Sequence, residues 1–171
     1  IFELPSVLAE RFDIVFTSYG VLSWLGDLER WAGVIAHFLK PGGTFYMVEF
    51  HPVWTMLDEK DGTRVRYDYF KTPEPERFEE QGSYADRSSG FRHPGYVWAH
   101  GLGEIITALI SAGLRIEYLH EFPYSVYNVA ECLEESAPGQ YTVRGQTGSI
   151  PLLFSLRARL DGERCAEAPI G

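Results

Sequence analysis

The sequence has few residues of the kinds that build disulfide scaffolds or metal centres. Its two cysteines, Cys132 and Cys165, are too few for a disulfide framework and lack the spacing of a metal site, so we expect a reducing, cytoplasmic setting. The histidines are scattered along the chain, and we predict no metal site. No apolar run reaches the roughly 18 residues that a membrane span requires, which predicts no membrane partner.

Basic residues are also scarce. The chain has 15 Lys and Arg against 24 Asp and Glu, which gives a formal net charge of −9. A nucleic-acid backbone is bound by a basic surface, so this balance disfavours nucleic acid as the main partner. Hydrophobic residues make up 45% of the 171 residues and charged residues 23%, as in a folded globular chain of about one domain.

Aromatic residues, in contrast, are abundant. The 4 Trp, 10 Tyr and 11 Phe make up 15% of the chain, and many of them fall between Val53 and Trp98. Aromatic rings fill cores and also line apolar pockets. Core packing is the commoner role for any single ring, but their concentration makes this stretch a candidate wall of a ligand pocket.

The first part of the chain has the pattern of a strand, a helix and a second strand. Residues 12–17 form a nearly continuous apolar run, which predicts a strand buried on both faces. Asp27 is a good N-cap for a helix with an apolar stripe over residues 28–39, and Lys40-Pro41-Gly42-Gly43 predicts its end. Residues 44–50 predict a second buried strand, so the unit is βαβ with parallel strands.

Residues 51–99 interrupt this regular pattern as an insertion. Residues 63–70 alternate between apolar and polar, which predicts a half-exposed antiparallel strand, whereas residues 72–94 have the composition of a loop. A helix over residues 102–110 and strands over 114–118 and 154–160 then follow, with a loop over 136–149. We therefore expect one domain over residues 1–160 and a mobile tail over 161–171.

The run of residues 12–25, followed by Leu39-Lys40-Pro41-Gly42-Gly43, resembles class I S-adenosylmethionine-dependent methyltransferases. It is similar to their fourth strand, the following helix and turn, and their fifth strand. The likeness continues through residues 98–105, and residues 114–122 with 152–160 resemble the antiparallel sixth and seventh strands. The resemblance implies an α/β, Rossmann-like sheet with an antiparallel C-terminal hairpin and a β-rich insertion.

The family's Gly-rich cofactor loop has no counterpart in this sequence, nor does the acidic residue of its second strand. The resemblance therefore implies a domain that is N-terminally incomplete, without the first three strands. The strand over residues 12–17 would then be an apolar edge, which is prone to pairing with another chain. We expect either a longer natural chain or a homodimer that covers this edge.

The resemblance implies S-adenosylmethionine as the cofactor and assigns residues to it. Ser18, Tyr19, Gly20 and Val21 would line its methionine side. His51 follows the second strand and is a chemically sensible general base. The alternative for His51, a polar residue that packs against the next residue of the chain, is equally well supported.

Further residues would face the methyl acceptor on the same resemblance. Glu49 and Trp54 flank His51, while Tyr84 and Trp98 could form a lid together with Tyr69. His100 precedes a helix at a position where related enzymes often carry His. Packing for the aromatic rings and local hydrogen bonding for His100 are the alternative roles.

The predicted function is methyl transfer from S-adenosylmethionine to a small-molecule acceptor. Residues 51–99 would select the acceptor, because recognition concentrates on loops carried by a rigid scaffold. The alternative is a catalytically inactive α/β fragment that acts as a structural or dimerising module. A nucleotide-dependent oxidoreductase is disfavoured because the sequence has no Gly-rich dinucleotide fingerprint.

Overall fold

The structure, a computed structural model, describes residues 1–81, 90, 92–146 and 149–161. The described chain contains short and long helices, eight strands and one 3₁₀ turn. In chain order these are α1 Leu4–Val7, β1 Phe12–Thr17, the 3₁₀ turn Leu22–Trp24, α2 Leu28–Phe38, β2 Leu39–Phe50, α3 Pro52–Thr55, β3 Glu76–Gln81, β4 Arg92–Val97, α4 Leu102–Ser111, β5 Leu114–Phe122, β6 Leu133–Ala137, β7 Gln140–Val143 and β8 Leu153–Leu160. None of the helices in this part of the chain is long and apolar enough to cross a bilayer.

A four-stranded sheet in the order β1-β2-β8-β5 forms the centre of the structure. β1 and β2 are parallel, and β8 runs antiparallel to both of its neighbours. The predicted βαβ unit and the predicted C-terminal hairpin are therefore confirmed. The two remaining strand pairs, β3 with β4 and β6 with β7, are separate antiparallel hairpins.

Helix α2 begins where the sequence predicts. The Asp27 carboxylate accepts a hydrogen bond from the Arg30 amide at 2.9 Å, which satisfies one of the unpaired N–H groups of the first turn. The helix ends at Phe38. The predicted turn Lys40-Pro41-Gly42-Gly43 is wrong in one respect, because β2 begins directly at Leu39 and includes these residues.

The main core lies between the sheet and helices α2 and α4. Trp31 of α2 meets Phe45 of β2 edge-to-face, with ring centroids 5.8 Å apart. The other central members are fully or almost fully buried: Ile35, Met47, Ile105, Leu109, Phe154, Leu156 and Ala158. This packing fixes the ends of β1 and β2, after which the site residues follow.

Strand β1 is not buried on both faces as its apolar run predicts. Phe12, Ile14 and Phe16 are 42%, 67% and 57% exposed, whereas Val15 packs against the main core. Helices α2 and α4 cover only one face of the sheet, the face that carries Val15. Ile14 and Phe16 lie on the opposite face, because side chains alternate along a strand. β1 is also an edge strand of the described sheet.

The insertion differs most from its prediction. Residues 63–70 form no strand, because the Asp61 carboxylate accepts from the amides of Thr63 and Arg64 at 2.9 and 3.0 Å and turns the chain. Only an isolated bridge joins Leu57 to Val65. The antiparallel strands β3 and β4 fall instead within residues 72–94 and just beyond, and β6 and β7 interrupt the predicted loop 136–149.

Candidate functional site

A cavity of about 410 Å³ lies beyond the carboxyl ends of β1 and β2. The main-chain segment after β1 contributes Gly20, Leu22 and Ser23 to its wall, and the end of β2 contributes Glu49 and Phe50. The insertion and the start of α4 close the other sides with Tyr67, Phe78, Trp98 and His100 among others. In open α/β sheets, ligands bind at this end of the strands.

Glu49 fixes the segment after β1 through its carboxylate. This side chain is 4% exposed, and it accepts hydrogen bonds from four backbone amides, those of Gly20, Val21 at 2.8 Å, Leu22 at 3.3 Å and Phe50 at 2.7 Å. Burial raises the pKa of Glu49 above its ordinary value, while the four amides oppose that shift. Glu49 therefore positions backbone that lines the cavity.

The segment held by Glu49 has a conformation that favours glycine. Gly20 has φ +75°, and an added Cβ would lie 3.6 Å from the Phe50 ring. The neighbouring Tyr19 ring packs against Phe50 at 6.2 Å between centroids and edge-on against Tyr127 at 5.1 Å. The cavity wall at Gly20 is thus bare backbone backed by aromatic rings.

The insertion is fastened over the cavity at two glycines. Trp98 packs on Gly26, where an added Cβ would lie 3.0 Å from the indole, and the Lys71 ammonium donates to the Gly26 carbonyl at 2.6 Å. On the other side, the Tyr69 ring lies against Gly101, and its hydroxyl accepts from the Leu102 amide at 3.2 Å. These contacts hold the described part of the insertion as a cover on this side of the cavity.

His51 does not line the cavity, and both of its ring nitrogens are engaged. Nδ1 accepts from the Val53 amide at 3.1 Å and caps α3, so the proton lies on Nε2, which donates to Glu121 at 2.8 Å. The residue is 2% exposed, and burial lowers the pKa of the imidazole, while Glu121 opposes the shift. To act as a base in this tautomer, His51 would have to break the hydrogen bond that its Nδ1 accepts from the Val53 amide.

His100 lines the cavity and joins two elements. Nε2 donates to the Leu25 carbonyl at 2.7 Å, and Nδ1 lies 3.1 Å from the Glu104 carboxylate on α4. The ring thereby ties the loop after the 3₁₀ turn to the start of α4. The bond to the Leu25 carbonyl supports the local hydrogen-bonding role that the sequence left open for His100.

Solved structures of methyltransferases share this architecture. A methyltransferase from Mesorhizobium loti that depends on S-adenosylmethionine aligns over 88% of this chain, with 18% identity and a TM-score of 0.50. Another such methyltransferase, from Clostridium acetobutylicum, aligns over 91%, with 13% identity and a TM-score of 0.52. The chain has the fold of S-adenosylmethionine-dependent methyltransferases.

The chain spans about three fifths of the length of these methyltransferases, 62% and 61% respectively. No protein-family model matches the sequence. No curated protein matches it either. The methyltransferase fold is therefore visible in the architecture at low sequence identity.

The cavity brings together some of the residues that the sequence predicts for a methyltransferase site. Of the predicted residues, Gly20, Glu49, Trp98 and His100 line it, and Val21 is held beside it by Glu49. Ser18, Tyr19 and Trp54 do not line it. Trp54 belongs instead to a second core with Cys132, Leu133, Val143 and Leu152, and Tyr84 lies outside the described residues.

The sequence analysis missed an acidic and aromatic group on the insertion. Glu59, Tyr67, Asp68, Glu76 and Phe78 all line the cavity. The Tyr67 hydroxyl donates to Glu59 at 2.9 Å, and burial together with this bond raises the pKa of Tyr67 to about 12, so the phenol stays protonated at neutral pH. The density of aromatic residues in this stretch was the only available signal.

Among the residues that the structure describes, no group of side chains could hold a metal ion.

Replacing His51 with Asn is expected to lower the free energy of unfolding by about 1–2 kcal/mol, because the Glu121 bond is lost while Asn can still cap α3. The lowered pKa of His51 also makes the free energy of unfolding depend on pH. The unfolded chain takes up the His51 proton near pH 6.5 and the folded chain only at lower pH, so wild-type stability falls as pH drops below 6.5.

Urea unfolding of both proteins from pH 7.5 to 5 checks this prediction. The difference in stability between wild type and His51→Asn should shrink as pH falls, and a difference that grows would contradict it. The catalytic base at His51 stays a prediction. A loss of methyl transfer in folded His51→Asn protein would support it.

Proposed function

We propose that the protein transfers a methyl group from S-adenosylmethionine to a small-molecule acceptor bound in the cavity. The observation that carries this proposal is the position of the cavity, beyond the carboxyl ends of β1 and β2 in a methyltransferase fold. Catalysis would rest mainly on proximity and orientation, because the acceptor atom needs only to be aligned with the transferred methyl.

The segment after β1 fits the methionine side of the cofactor. Ser18, Tyr19, Gly20 and Val21 remain the proposed contacts, and Glu49 holds the backbone of two of them. When bound, S-adenosylmethionine supplies an electrophilic methyl group on a cationic sulfur. The aromatic rings beside Gly20 suit such a charge, because the faces of aromatic rings attract cations.

The insertion supplies the proposed acceptor side. Trp98 and His100 line the cavity, and the contacts at Gly26 and Gly101 fasten the cover above it. Such contacts hold this part of the wall in place and restrict the orientations available to an acceptor. Residues 51–99 thus remain the segment proposed to select the acceptor.

A calorimetric titration with S-adenosylhomocysteine tests this proposal, using the natural polypeptide that contains these 171 residues. Saturable binding with one site per chain is expected. Absence of binding to protein that is folded by circular dichroism would contradict methyl transfer. The titration needs no knowledge of the acceptor, so it reads the cofactor site alone.

A structural module that pairs with a second copy is the alternative function, and the exposed side chains of β1 favour it. Ile14 and Phe16 are 67% and 57% exposed on a strand at the edge of the described sheet. Such an edge promotes pairing between chains. An inert module should bind no S-adenosylhomocysteine, and a monomeric sedimentation coefficient at high concentration would contradict pairing.

A further inference from the structure

We propose that the cavity selects an acceptor that carries an amine or ammonium group attached to a small apolar body. This inference rests on the proposed methyl transfer and adds to it the chemical class of the acceptor. It is drawn from the walls of the cavity, which combine aromatic faces with carboxylates that lack a neutralising partner.

The aromatic part of the wall comes from three elements. Phe50 ends β2, Phe78 lies on β3, and Trp98 follows β4. Phe78 also meets the Trp24 ring with centroids 6.1 Å apart, and Trp98 rests on Gly26, so neighbouring residues support both rings. Half-buried rings around a volume of about 410 Å³ favour a small ligand with an apolar body.

Two of the lining carboxylates already have partners. Glu49 is held by backbone amides, as described above. Glu59 accepts from the Tyr67 hydroxyl at 2.9 Å and from Arg66 at 3.3 Å. Their charges are therefore largely compensated within the protein, and neither of them is needed to explain the choice of ligand.

Asp68 and Glu76 differ from these two. Both line the cavity at positions exposed to solvent, and neither carboxylate has a hydrogen bond or ion pair with another described residue. No Lys or Arg side chain is found among the described residues of the cavity wall. Arg66 lies beside Asp68 and Glu76 in an adjoining pocket, but its guanidinium is paired with Asp58 and Glu59. The uncompensated charge at the cavity is consequently negative, which disfavours carboxylate, phosphate and sulfate groups on a ligand.

Negative charge beside aromatic faces is the environment that recognises organic cations. The ring quadrupole attracts an ammonium group, and the negative charge of the carboxylates attracts it as well. An alcohol of the same shape would gain only the apolar contacts. The cavity therefore discriminates by charge, and the apolar body of the acceptor fills the aromatic side.

Calorimetric titration with three probes of nearly equal shape tests this inference: 2-phenylethylammonium, 2-phenylethanol and 3-phenylpropionate. Each is titrated with and without saturating S-adenosylhomocysteine. The ammonium probe is expected to bind about tenfold more tightly than the alcohol, and the carboxylate least of all. Equal or reversed affinities, or no binding by any of the three, would overturn the inference.

A double variant, Asp68→Asn with Glu76→Gln, assigns the preference to these residues. It should reduce the preference for ammonium over alcohol to about twofold or less, since the Coulomb attraction is lost. The matched control is Glu10→Gln with Glu131→Gln, which makes the same charge change at exposed positions outside the cavity wall. An equal reduction in the control would overturn the assignment.

The two proposals fail in different ways. If the protein binds S-adenosylhomocysteine but does not prefer the ammonium probe, only the acceptor class is overturned. If it does not bind S-adenosylhomocysteine, methyl transfer is overturned, while the titrations without it still show whether the cavity selects cations.

Discussion

Replacing Glu49 with Gln is expected to weaken binding of S-adenosylhomocysteine by about tenfold and to lower the free energy of unfolding by about 1–3 kcal/mol. The carboxylate accepts from the amides of Gly20, Val21, Leu22 and Phe50. Gln keeps one oxygen acceptor but turns an NH₂ group toward the remaining amides. Buried N–H groups then lose their partners, and the segment after β1 loosens.

Amide hydrogen exchange separates this local effect from general destabilisation. Exchange at residues 20–22 should accelerate more in Glu49→Gln than exchange in β8, which lies in the centre of the sheet. Glu10→Gln is the matched control, since it makes the same chemical change on an exposed residue. Unchanged affinity together with unchanged exchange at residues 20–22 would show that Glu49 does not position this segment.

Replacing Trp98 with Ala is expected to weaken the binding of 2-phenylethylammonium by about tenfold or more and to lower the free energy of unfolding by about 2–3 kcal/mol. The indole lines the cavity and packs on Gly26, so its removal takes away part of the wall and opens a void against the loop before α2. The backbone bond from the Trp98 amide to the Ser23 carbonyl remains possible, and β4 should stay in place.

Trp98→Phe serves as the conservative variant for this position. It keeps an aromatic face and should recover most of the affinity for the ammonium probe. Affinity for S-adenosylhomocysteine should change little in either variant, because Glu49 and the segment after β1 are untouched. A Trp98→Ala protein that is folded and binds the ammonium probe like wild type would remove Trp98 from the proposed site.

The sequence was sufficient to predict the central part of the fold because its signals there are local and strong. Helices α2 and α4 have apolar residues at helical spacing, and Asp27 caps α2. Strand β1 is a nearly continuous apolar run. The fold class implied by the resemblance is confirmed by the sheet order and by the solved methyltransferase structures.

The hairpin of β3 and β4 could not be predicted, because little in its sequence alternates. β3 reads Glu-Arg-Phe-Glu-Glu-Gln, and its Phe78 side chain packs against Gly95 and Trp24. These are tertiary contacts without a sequence period. Residues 63–70 do alternate, yet the hydrogen bonds to Asp61 turn the chain there instead.

The role of Glu49 shows a similar limit at the site. The sequence analysis placed Glu49 against the acceptor, whereas the structure pairs its carboxylate with amides 27 to 29 residues earlier in the chain as well as with its neighbour. Backbone donors leave no trace in a sequence. The available hint was a carboxylate inside an otherwise buried strand, which requires partners of some kind.

Hydrogen–deuterium exchange with and without S-adenosylhomocysteine tests the central claim most directly. The claim is that the cofactor binds against the segment after β1, at the cavity beyond β1 and β2. The ligand should therefore slow exchange in residues 18–22 and around Glu49. Exchange at the start of β5, the strand at the opposite edge of the sheet from β1, should stay unchanged. Slowing confined to other segments, or no slowing at saturating ligand, would contradict the claim.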